Sequence, residues 1–350
     1  MPVPTMPVPT MIPPDPWLPG GLALLAAALL APWLAGRLRG PGWLDRPRAD
    51  RHADRAVPRA GGAAWLGAFV LATIAGLALS RRGGSGGAGE LGSLPAASLA
   101  LSVAVGGAGF WLGHLDDRGV LGAGRKWIVQ TALLLAAGFL WILVAASLTG
   151  EGRAWAAAGG WGRILSWSLR LGLALLVQTA LQIFDNVDAA LGSVFVASCA
   201  VLALRPEGGA FALPAVLAGA AALGVLAWNL PPARLYFGNA GSLPLATLLA
   251  FWILAGGRAF GESPGAPGTA GGATAVVIAV VAGPLLWPLI DLVYVSIARG
   301  RRGVPPWVGG RDHTTHLLAR RLGSDRRVAG LLLLWAVLSA FLALRLPGPR

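Results

Sequence analysis

The sequence is short of charge. Asp, Glu, Lys and Arg make up 12% of its 350 residues, and 55% are hydrophobic. Soluble domains carry about a quarter charged residues, so an ordinary soluble domain is excluded. A mean hydropathy of +0.67 points instead to a polytopic membrane protein. Cysteine is almost absent: Cys199 is the only one and lies in an apolar run, which excludes an internal disulfide and favours a core-packing role. Acidic residues are scarce too, 15 against 28 basic ones, for a net charge of +13. In a soluble protein that excess suggests nucleic acid. Here the arginines gather in two connections between apolar runs, so topology accounts for them and no nucleic-acid partner is expected. No cleavable signal peptide is expected, and residues 1–16 read as a Pro-rich disordered tail ahead of a transmembrane domain over 17–346.

Long apolar runs are what the chain has in quantity. Ten fall at 17–36, 61–80, 94–115, 127–147, 164–184, 187–204, 210–230, 235–258, 273–298 and 328–346. Each is near the length a membrane helix needs, so the expected fold is all-α, a polytopic bundle of about ten transmembrane helices. The first connection, 37–60, carries seven arginines and the last, 299–327, carries eight, while 81–93, 148–163 and 257–272 are poor in charge. The positive-inside rule puts the Arg-rich connections, and with them every polar motif below, in the cytoplasm.

Asp116 and Asp117 close the third run in Gly113-His114-Leu115-Asp116-Asp117-Arg118. Two adjacent carboxylates repel unless a cation or shared proton relieves them, and burying them unpartnered is costly. They suggest a membrane-surface site for a divalent metal and a phosphorylated substrate. Lys126 follows, with Gln130 a helical turn on. Lys126 is either a snorkelling anchor or a neutraliser of phosphate. Gln182-Ile183-Phe184-Asp185-Asn186-Val187-Asp188 interrupts the next apolar stretch, and Asp185 and Asp188 would share one face of a continuing helix.

The connection before the second run contains His52 and Pro58-Arg59-Ala60-Gly61-Gly62. Either Arg59 or His52 could reach an anionic group; topology explains most of the neighbouring arginines. Pro232-Ala233-Arg234 precedes Phe237-Gly238-Asn239-Ala240-Gly241-Ser242, where the glycines allow close approach to a ligand and Ser242 could cap the following helix. Asp291 sits inside the ninth run. Beyond it come Arg311-Asp312-His313-Thr314-Thr315-His316, read as anion recognition rather than zinc, or as solvated loop histidines.

In this order the motifs resemble the polyprenyl-phosphate N-acetylhexosamine-1-phosphate transferases. That superfamily starts bacterial O-antigen, teichoic acid and peptidoglycan lipid intermediates. The resemblance spans about residues 20–346, from Asp45-Arg46-Pro47 to His316. It implies transfer of a sugar 1-phosphate from a UDP-sugar to polyprenyl (undecaprenyl) phosphate, with release of UMP. It also implies Mg²⁺ (or Mn²⁺) as cofactor and a multi-pass protein of the bacterial inner membrane. The implied partners are polyprenyl phosphate, a UDP-N-acetylhexosamine and the lipid bilayer, with a homodimer as one assembly open to it. Asp116, Asp117 and Asp188 match catalytic positions. Lys126, Asp185, Arg59, Arg311, His313 and His316 match substrate-binding ones. Asp188 and Asn239 match the metal site. The Arg-Asp-His-x-x-His string is closer to the N-acetylglucosamine-1-phosphate branch than to the muramoyl-pentapeptide branch.

The chain departs from the family pattern at three positions. Asn239 stands where the family has a magnesium-binding Asp, Gln182 where it has Asn, and Ala189 where it has Gly. A non-catalytic paralogue that binds lipid phosphate or nucleotide-sugar is therefore an alternative. A transporter is another, disfavoured because the acidic groups collect at one face without an internal repeat.

Overall fold

The computed structural model describes residues 16–40, 42–45, 56–82, 93–149, 161–259, 277–305, 308 and 310–347. His52 and the Pro-rich tail up to residue 15 lie outside them. The helices are α1 (Trp17–Arg37), α2 (Gly61–Arg82), α3 (Ser93–Asp117), α4 (Ala123–Thr149), α5 (Trp161–Phe184), α6 (Ala190–Leu204), α7 (Ala212–Asn229), α8 (Asn239–Ala259), α9 (Leu286–Gly300), α10 (Thr314–Leu322) and α11 (Asp325–Arg345). The fold is all-α and polytopic. Among the described residues eight helices, α1–α5, α7, α8 and α11, are long and apolar enough to cross a membrane.

The two other apolar runs differ from the plain spans expected. The run at 187–204 yields only the 15 residues of α6, because its first residues are spent on a turn. The run at 273–298 breaks at 283–285, where Gly283-Pro284 interrupts the helical ladder between a stretch over 277–282 and α9. A short helix the sequence reading missed, α10, forms within the last Arg-rich connection.

The helices are inside-out relative to a soluble bundle. The inward stripe of α1 is Ala23, Ala27 and Ala31, fully buried at one-turn spacing, while Leu18, Leu25, Leu29 and Trp33 are more than half exposed. Small residues let backbones approach where lipid supplies no hydrophobic drive, and large apolar ones face the acyl chains. At the centre stands α8, almost wholly buried and packed against α3, α4 and α5. Internal hydrogen bonds link polar side chains on it to its neighbours: Gln178 Nε2 donates to Thr247 Oγ1 at 2.8 Å and Trp252 Nε1 to Ser102 Oγ at 3.0 Å.

One close approach sets the position of α8. A Cβ on Gly113 would lie 2.0 Å from the Asn239 carbonyl oxygen, so only glycine lets the end of α3 touch the start of α8. The beginning of α2 presses on the same turn from the other side, where a Cβ on Gly62 would lie 2.2 Å from the Ala240 carbonyl oxygen. The N-terminus of the central helix is thus clamped between two others.

Candidate functional site

The polar motifs collect at one end of the bundle, where hydrogen bonds tie five inter-helix connections together. Two short antiparallel strands, β1 (Leu44–Asp45) and β2 (Val57–Pro58), pair Leu44 with Pro58 and Asp45 with Val57. The strand pair sets Asp45, 1% exposed, beside Arg59. From β2 the chain is bonded to the loop before α8: Tyr236 N donates to Pro58 O at 2.8 Å and Gly61 N to Tyr236 O at 3.0 Å.

Arg59 spans two carboxylates. Its Nη2 donates to Asp45 Oδ1 and its Nη1 to Asp117 Oδ1 at 3.2 Å. The other oxygen of Asp117, Oδ2, accepts the Ala240 amide at 2.9 Å. The anion that Arg59 reaches is therefore the protein's own. Asp116 diverges from its neighbour: its Oδ2 accepts from Lys126 Nζ at 2.9 Å, and both side chains are more open, 10% and 26% exposed. Lys126 is the only lysine in a chain otherwise basic through arginine. That solitary choice of a compact ammonium over a planar guanidinium is a signal the sequence reading passed over.

The second acidic motif does not continue a helix. α5 ends at Phe184, and 185–189 form a turn, so Asp185 and Asp188 do not share the helix face expected of them. Ala189 takes φ 68° to re-enter α6, the one non-glycine positive φ among the described residues. Its amide donates to Asn229 Oδ1 at 3.0 Å, while Asp188 Oδ2 accepts the Ala233 amide at 2.9 Å. The turn is thereby fastened to the loop after α7. Asn186 Oδ1 accepts from Thr315 Oγ1 at 2.6 Å, which brings the histidine segment to the same place.

Ser242 is not the cap of α8: the helix begins at Asn239, and the Ser242 amide already donates to Gly238 O at 2.8 Å. Gly238, at φ 66°, makes room for protein groups rather than for a ligand. A Cβ there would lie 3.0 Å from both Arg59 Cβ and Asp117 Oδ2. Asn239 itself is half-buried beside Asp117.

The last segment is organised by Asp291, fully buried on α9. Its Oδ2 lies 2.7 Å from His313 Nδ1, and its Oδ1 accepts both the amide and the hydroxyl of Thr314 at 2.6 Å. A carboxylate from another helix thus caps α10 and orients the ring at its N-terminus. His313 Nε2 then faces Arg299 Nη2 at 3.5 Å, and the His316 ring centroid is 5.9 Å from that of His313. Arg299 grips Asp312 with Nε at 3.0 Å and Nη2 at 2.7 Å, and Arg302 adds a second contact. Those guanidinium bonds hold the Asp312 carboxyl well below the usual carboxylate range. Arg311 is exposed at the same loop, on the wall of a cavity of about 560 Å³.

Among the described residues no three His, Cys, Asp or Glu side chains gather as a metal cluster. What converges is a frame of carboxylates, each held by a cation or a backbone amide, beside an arginine-rich loop. Such an arrangement can receive phosphate groups and orient them.

No curated protein matches the chain. Residues 98–257 match the model of glycosyl transferase family 4, a stretch that holds Asp116–Asp117, the Asp185–Asp188 turn and the Asn239 loop; over it the chain is similar to that family, which is consistent with a membrane sugar-phosphate transferase.

Proposed function

We propose that the protein transfers a sugar 1-phosphate, N-acetylglucosamine 1-phosphate in the first instance, from its UDP-sugar to polyprenyl (undecaprenyl) phosphate. An oxygen of the lipid phosphate attacks the phosphorus bonded to the sugar, the diphosphate bridge breaks and UMP leaves. The reaction is the first membrane step of an envelope glycan, carried out on the cytoplasmic face of a bacterial inner membrane.

The observation that carries this reading is the divergence of the paired aspartates. Asp117 is engaged through both oxygens in holding α2, α3 and α8 together. Asp116 stands with Lys126 in the more open position. We assign Asp116 and Lys126 to the lipid phosphate, one orienting or deprotonating it and the other offsetting its charge. Asp185, Asp188, His313, His316 and Arg311 are assigned to the UDP-sugar side, and Arg59 to keeping Asp117 in place.

Mg²⁺ is the cofactor we assign, with Mn²⁺ as substitute. Magnesium uses one or two carboxylates and completes its shell with phosphates and water, so a preformed cage is not needed. Asp188 and the Asn239 carbonyl oxygen are hard donors of the right kind. When bound, the ion would offset charge on the diphosphate.

The test is transfer of label from UDP-N-acetylglucosamine into extractable polyprenyl lipid by membranes containing the protein, with UMP release measured alongside. Asp116→Asn and Asp188→Asn should abolish it; strong activity in both variants overturns the assignment. A second reading, a paralogue that binds these ligands without turnover, is favoured by the neutral Asn239 and the strained Ala189. Inactivity with every UDP-sugar, together with recovery in Asn239→Asp, would establish it.

A further inference from the structure

Gln130 is a buried amide on a membrane span, and the transferase reading gives it no task. It lies on α4, is 3% exposed, and its Nε2 has no hydrogen-bond partner among the described residues. In hydrocarbon such a donor is costly, because no water can stand in for the missing acceptor. The two other buried side-chain amides among the described residues are engaged: Gln178 donates to Thr247 and Asn229 to the Leu235 carbonyl. Lys126 stands four residues before Gln130, on the same helix face.

Helix direction brings the amide to Asp116. α3 and α4 are joined by 118–122 alone and pack against each other, so they run antiparallel. Side chains on a helix lean toward its N-terminus. Asp116, at the end of α3, therefore leans into the bundle, and Gln130, about two turns into α4, leans back out toward it. From the turn nearer the surface Lys126 Nζ already reaches Asp116 Oδ2 at 2.9 Å. One face of α4 thus offers the carboxylate two donors, one bonded to it and one without an acceptor.

The second donor is useful where an anion arrives. A phosphate that draws the Lys126 ammonium to itself takes the charge partner from Asp116 and leaves two anionic groups together. A hydrogen bond from an amide to the freed carboxylate offsets part of that cost and fixes its orientation.

We propose that Gln130 is a positioning residue held in reserve: its Nε2–H takes over Asp116 Oδ2 when Lys126 turns to a bound phosphate. The phosphate that triggers the exchange rests on the transferase reading; the two donors do not.

Stability separates the exchange from turnover. In the full chain in detergent, Gln130→Met removes a donor that has no bond to lose and should leave the thermal midpoint unchanged or raise it. Lys126→Met should lower it only slightly, because the Gln130 amide then closes on Asp116. The double variant should fall about 2 °C further than the two single changes add up to. Additive changes overturn the proposal. Transfer supplies the second readout. Gln130→Met should lower kcat about tenfold, the worth of one hydrogen bond to a charged group, with KM for UDP-N-acetylglucosamine unchanged. An unaltered kcat, or a raised KM for the UDP-sugar in its place, also overturns the proposal. Absence of transfer by the unmodified chain would overturn the transferase reading alone, and the stability cycle would still decide this one.

Discussion

Asp117 ends α3, and its Oδ2 accepts the Ala240 amide in the first turn of α8 at 2.9 Å. That helix N-terminus is partly taken by the protein's own carboxylate, which Arg59 holds from the other side. An acidic group in that position favours the helix dipole and satisfies an amide that would otherwise be buried unpaired.

Asp117 and Asp116 should therefore separate in stability, the first as the support of three helices and the second as the group proposed to meet the lipid phosphate. Asp117→Asn keeps an acceptor for Ala240 but loses charge beside a buried arginine, and should cost about 2 kcal/mol. Asp116→Asn breaks a more open ion pair and should cost less than about 1 kcal/mol. Thermal midpoints in detergent, set beside transfer rates for the two variants, check the distinction; equal losses of stability would refute it.

Asn239→Asp should restore a charged donor where the family has one. Mg²⁺ dependence of transfer should shift to concentrations about tenfold lower, since affinity for hard cations follows ligand charge. Without Mg²⁺ the same variant should be less stable than the unmodified chain, because a second carboxylate then stands next to Asp117 unrelieved. Activity and midpoint measured across a magnesium titration give both results.

Ala189 adopts φ 68°, a conformation that costs a residue with a Cβ about 1 kcal/mol or more. Ala189→Gly should leave stability unchanged or raise it. Further along α6, Ala197 is buried in the helix interior, and Ala197→Gly should lose about 1 kcal/mol. A matched pair of thermal unfolding curves decides the point.

Asp291 should be the least replaceable carboxylate of the histidine segment. It is fully buried and receives three hydrogen bonds from His313 and Thr314. Asp291→Asn puts a donor among donors and should cost about 3 kcal/mol. A double-mutant cycle with His313→Ala measures the coupling. Additivity of the two losses would show that Asp291 does not hold His313.

Asp312 governs a pH effect. Its folded carboxyl lies below the unfolded value of about 3.9, so its contribution is complete above that value and is lost as pH falls through the folded one. The difference in thermal midpoint between the unmodified protein and Asp312→Asn should be constant from about pH 8 to 5 and narrow only below about pH 4. A difference that changes near neutrality would point to another group.

The sequence by itself determined the membrane class, the helical runs and which connections carry the polar motifs. Each of those rests on local quantities: hydropathy over about twenty residues, arginine bias between runs, and polar strings at their ends. Even the weak point at Asn239 is visible there. Partnership was decided only by the tertiary structure. Adjacent aspartates point to different partners because a helix turns about 100° per residue, so Asp116 meets Lys126 while Asp117 meets Arg59 and Ala240. Asp185 and Asp188 leave the helix because 185–189 is fastened to the end of α7 and the loop after it, at contacts 40 and 45 residues away in the chain. Asp291 finds His313 across a connection with no periodic signal at all. Apart from Asp116 and Lys126, ten residues apart, long-range packing chooses such pairs, and no window of about twenty residues contains both members.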